Sequence, residues 1–132
     1  MKSVLIFILL LPFSSLSAQF YLGATRAEVL QQIKDNKGEN ILTSVDKENL
    51  TVIEWENIYI KEAVFFNSNN KSEKYIMRPK KREVLNGMIK TFNSKYVIIN
   101  NEQWKAYVGG TVTTIILLYM KDDDDYLFFF SH

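Results

Sequence analysis

The chain has 132 residues, no cysteine, one histidine at its last position, and 16 basic against 15 acidic residues. That inventory excludes disulfides, cysteine nucleophiles and the usual His/Cys zinc sites. It leaves Ser-His-Asp catalysis without an internal imidazole and offers no basic excess to recruit nucleic acid.

Met1 and Lys2 open the chain with positive charge, an apolar run extends from Val4 to Phe13, and Ser14, Ser15, Ser17 and Ala18 follow. That order predicts a secretory signal peptide over residues 1–18. The apolar run is too short for a membrane-spanning helix, which needs about 20 residues, so no transmembrane segment is expected after cleavage. Cleavage after Ala18 and cleavage after Ser17 both fit the small residues. With no cysteine there is no lipoprotein anchor, and the product is expected in the periplasm or outside the cell. Removing Lys2 leaves acidic and basic residues equal in number, a balance that permits self-association.

Residues 19–132 read as one domain. A first helix is expected over 24–36: Thr25 and Glu28 have the spacing of a capping box, Val29, Leu30 and Ile33 share a face, and Gly38 stops it. Short β-prone segments follow at 41–45 and 50–55, separated by a polar turn at 46–49. Thr51, Ile53 and Trp55 alternate onto one side. The next strand, 58–66, sets Ile58, Ile60, Val64 and Phe66 on one face, with Glu62 interrupting it. Asn67 to Lys71 is a turn, and 73–77 returns as a fourth strand.

Pro79 resets the chain, since proline suits the first helical position. Val84, Leu85, Met88, Ile89 and Phe92 form a helical stripe over 80–93. Strands are then expected at 95–100, 103–108, 111–120 and 126–130. The pair Gly109-Gly110 supplies a hairpin turn needing positive φ, and Asp122 to Asp125 form the last turn. The order is helix, four strands, helix, four strands. The match of residues 26–30 with 81–85 supports a tandem α-β4 repeat. The expected fold is α+β: a mostly antiparallel sheet with two helices on one face.

Candidate chemistry is sparse. The four consecutive Asp residues at 122–125 lack the spaced ligands and glycine of a calcium loop and read as a solvated hairpin tip, with a cation site as the alternative. The run also reads as a gatekeeper for the apolar strand after it. Glu54, Glu56 and Glu62 are candidates for paired-carboxylate hydrolysis, which needs two carboxyls converging across a cleft; alternation makes an ordinary solvent face the competing reading. Lys80, Lys81 and Arg82 form the densest basic patch, placed where cations oppose a helix dipole unless an anion is present. Trp55, Tyr59, Trp104 and Tyr107 are the aromatics that would mark a binding face if exposed. No metal ligand set and no cofactor motif is present.

The Ser17-Ala18-Gln19 junction, the Leu22-Gly23-Ala24-Thr25-Arg26-Ala27-Glu28-Val29 opening, Phe65 to Asn70 followed by Tyr75, and Asn93 to Val97 leading to Trp104 resemble small exported proteins of Bacteroidota. That resemblance implies export but no activity. The helix entry at Gly23 to Val29 followed by strands is also similar to the tandem layout of β-lactamase-inhibitor-like and outer-membrane-assembly proteins, which implies fold alone. The expected function is an exported binding module for a protein, peptide or envelope component. A carboxylate-based hydrolase and a self-assembling envelope protein are the alternatives, the last resting on charge balance and the strand at 126–130.

Overall fold

The computed structural model describes residues 21–35, 41–45 and 52–132, the second segment by its backbone. The proposed signal peptide, Gly38, the turn at 46–49 and Thr51 lie outside the described residues. The elements are α1 (Arg26–Asp35), β1 (Ile41–Val45), β2 (Val52–Glu56), β3 (Ile60–Phe66), β4 (Ser72–Pro79), α2 (Arg82–Lys95), β5 (Val97–Asn100), β6 (Gln103–Val108), β7 (Thr111–Met120) and β8 (Asp125–Ser131). This is an α+β fold with the anticipated α-β4-α-β4 order.

All eight strands form one antiparallel sheet in the order β1-β2-β3-β4-β8-β7-β6-β5. Each half is a four-stranded meander, and the halves join through their last strands. Tyr75 and Phe130 are 55 residues apart, the same shift that relates the matching helix starts, and they face each other across the β4–β8 ladder with ring centroids 4.8 Å apart. The tandem repeat therefore meets at its own centre.

Register explains the core. Ile53, Val64, Tyr75, Phe130, Ile115 and Trp104 are successive cross-strand partners, so they share one face of the sheet. All six are fully buried. Val29 and Ile33 of α1 and Val84, Leu85, Met88 and Phe92 of α2 pack into the same cluster. Both helices thus cover one face, and among the described residues no helix covers the other.

Local contacts set the boundaries. At α1 the capping box closes both ways: Thr25 N–H donates to Glu28 Oε1 (2.8 Å) and Glu28 N–H to Thr25 Oγ1 (3.2 Å). Ahead of it, Gly23 takes φ +77°, a backbone region that suits glycine. Gly23 N–H donates to Ser72 C=O, and Ser72 N–H to Ala24 C=O. Ser72 Oγ accepts from Ala24 N–H and donates to Tyr21 C=O, so this entry segment is pinned to β4. Gly109 and Gly110, at φ +57° and +81°, make the expected β6–β7 hairpin.

Three sequence expectations shift. Ile58 is 74% exposed rather than in the core, because Asn57 Oδ1 accepts from Tyr59 and Ile60 N–H and turns the chain before β3 begins. Pro79 ends β4 instead of opening the helix. Lys80 N–H donates to Tyr59 C=O (2.8 Å), so the donor Pro79 lacks belongs to the β8 side, where pairing already stops at Met77. α2 then starts at Arg82, with Lys81 at its N-cap making no side-chain cap bond. Finally, β8, the apolar strand for which the Asp run reads as a gatekeeper, is an interior strand already paired on both sides. Among the described residues no helix is long and apolar enough to cross a membrane.

Candidate functional site

The helix-free face carries a groove of about 360 Å³ over β2, β3, β4 and β8. Its origin is a size difference within one row. Glu54, Ala63 and Ile76 are direct cross-strand partners, and Ala63 is the smallest of them. Lys61 and Phe65 rise on either side of it along β3, because residues two apart share a face. Phe65, Ile76 and Leu127 supply apolar walls, while Glu54, Glu56, Lys61 and Arg78 bring charge to the rim. Ile76 continues the row through Phe129 and Ile116, both half-buried, so an apolar stripe runs from the groove toward β7.

The rim charges are partly committed. Lys80 Nζ pairs with Glu56 Oε1 at 3.1 Å. Arg78 Nε meets Asp125 Oδ2 at 3.0 Å, and its Nη2 lies 3.5 Å from Asp123. The Asp run therefore acts partly as a counter-charge for Arg78. Among the described residues no group of three or more His, Asp or Glu is placed to hold a metal.

Glu62 lies on the other face. It opposes Trp55 and Met77 in the ladders, only 4% of it is exposed, and it accepts a hydrogen bond from the Tyr75 hydroxyl. Burial pushes its carboxyl up from 4.5 to about 7, against the opposing influence of Tyr75 and the nearby Trp55 indole. The indole N–H itself makes no hydrogen bond of good geometry. Burial, and then the charge of Glu62, push the Tyr75 phenol well above its ordinary value. All three residues border the groove, but strand alternation turns the Glu62 side chain to the helix-covered face while Glu54 and Glu56 stay on the groove face, so the three carboxyl groups do not share one open cleft as paired-carboxylate hydrolysis requires.

The seven residues expected to mark a binding site are not brought together on one surface, although Trp55 also borders the groove. Trp55 and Trp104 are fully buried, and Trp104 Nε1–H donates to Asn93 Oδ1 of α2 at 2.8 Å. Their area goes to the core, where large rings contribute most. Tyr59 is half-buried against that core. Tyr107 is 61% exposed on the helix-free face, in β6, five strands from β2. Lys80 is held by Glu56, Lys81 is exposed at the α2 N-cap, and Arg82 lies over the Tyr126 ring at 5.9 Å.

The groove residues Ala63, Phe65, Ile76 and Leu127 escaped the sequence reading. The available signal was the second parity of β3 and β4: the alternation that sends Val64 and Tyr75 inward sends Ala63 and Ile76 to a shared opposite face. No family model, no curated protein and no solved structure matches this chain.

Proposed function

We propose that the protein is a small exported binding module that uses the helix-free face of its sheet to hold an amphipathic ligand, a peptide segment or an envelope component. The supporting observation is the groove itself: an apolar floor at Ala63 and Ile76 beside charges of both signs. A ligand with an apolar stretch and a polar end would bury the first and satisfy the second. Export rests on the charged, apolar and small-residue order of positions 1–18. The basic cluster contributes less than its sequence density implies, because Lys80 and Arg82 already have partners.

The test is to cross-link the protein in the cells that make it and compare wild type with Ala63→Phe, which fills the groove. The expected result is a captured species that Ala63→Phe loses and Tyr107→Ala retains, with both variants folded by near-ultraviolet circular dichroism. Equal capture by folded Ala63→Phe would mean that the groove is not the binding site.

A further inference from the structure

We infer that β5 is a self-association edge through which two copies of this chain pair antiparallel, making one continuous sheet. β5 is the last strand in the sheet order, so among the described residues no strand lies beside its outward backbone N–H and C=O groups. Its apolar residues are also uncovered: Val97, Ile98 and Ile99 are 51%, 54% and 45% exposed. Sheet edges are normally blunted by charge, proline or bulges, because an open apolar edge recruits another strand. The strand itself carries no charge and no proline. Its one irregularity is a register shift between Ile98 and Asn100.

The flanking charges select a second copy as the occupant. Lys95 ends α2 just before β5, and Glu102 lies in the turn just after it. Both are exposed, and neither forms an ion pair among the described residues. Antiparallel self-pairing lays the start of each strand against the end of the other. Lys95 of one copy then meets Glu102 of the second, and the same contact recurs by symmetry. Parallel pairing would set like charges together. A formal net charge of only +1 adds little long-range repulsion between copies.

The operation repeats one the molecule already uses, since its two halves join by antiparallel pairing of corresponding strands, β4 and β8. The two-fold axis stands perpendicular to the sheet, so both helix-free faces point the same way and both grooves stay open at the outer ends. The inference does not depend on what the groove binds.

Sedimentation velocity over a wide concentration range, on the protein purified from the cells that make it, tests this. The expected result is a reversible monomer–dimer equilibrium that Ile98→Lys abolishes. Lys95→Glu and Glu102→Lys should each weaken the dimer about tenfold, because each turns two attractive contacts repulsive. The double variant Lys95→Glu/Glu102→Lys should recover wild-type affinity, which separates self-pairing from general stickiness. All these positions are exposed, and circular dichroism verifies that each variant folds. A wild-type monomer at every concentration, a dimer indifferent to Ile98→Lys, assembly beyond dimers, or failure of the double variant to recover would each overturn the inference.

Discussion

Glu62 is where side-chain chemistry and the fold conflict most. Between pH 4.5 and about 7 the folded protein keeps a proton on this carboxyl that the unfolded chain has released. Stability from this group is therefore fully present below pH 4.5, falls as pH rises through that window, and stays lost above it. The loss amounts to about 3 kcal/mol. Glutamine keeps an acceptor for the Tyr75 hydroxyl and does not titrate, so urea denaturation of Glu62→Gln should lose this fall between pH 5 and 8. Tyr75→Phe removes a donor that favours the ionised carboxylate, so the midpoint of the fall should move to higher pH. The aromatics make a second residue-scale contrast. Trp104→Ala opens the core and should cost about 3–5 kcal/mol, whereas Tyr107→Ala, at an exposed position, should stay within about 0.5 kcal/mol. Both are aromatic residues of β6, and strand alternation alone separates their roles.

Elements were legible wherever a short-range mechanism writes them into the chain. The Thr25–Glu28 capping box needs only neighbours three apart, and Gly109-Gly110 needs only its own φ angles, so both were readable without tertiary information. Thr25→Ala should therefore destabilise the protein by about 1 kcal/mol in thermal melting, through loss of the α1 cap. The misplaced elements are those whose outcome depends on a partner. Pro79 fits a helix start by local preference, yet it ends β4 because β3 pairs with it as far as Ile60 and β8 has already stopped. Ile58 has the right parity for the core, but the Asn57 side chain captures the backbone there first. The 126–130 strand reads from its composition as an apolar strand able to drive self-assembly. Pairing with both β4 and β7 makes it the centre of the sheet, and the exposed edge passes to β5.

At the scale of the whole molecule, two α-β4 halves place both helices on one sheet face, and among the described residues no helix lies on the other. That asymmetry creates the groove, since a floor as small as Ala63 would be covered if a helix lay over it. Strand alternation, independent of the helices, turns the Glu62 side chain to the face opposite Glu54 and Glu56. The five-residue match between 26–30 and 81–85 was a thin signal for the repeat. Its structural confirmation is the Tyr75–Phe130 pair at the junction, which no local pattern announces. By itself the sequence determined the α+β class, the element order, the α1 cap, the β6–β7 turn and the thin catalytic inventory. All of these follow from composition or from residues a few positions apart. Only the tertiary structure decided which aromatics are core, which carboxylate is buried, which strand is an edge and where the groove lies. Those depend on cross-strand register and on which face the helices cover, and such long-range pairings leave no trace within any short window of the chain.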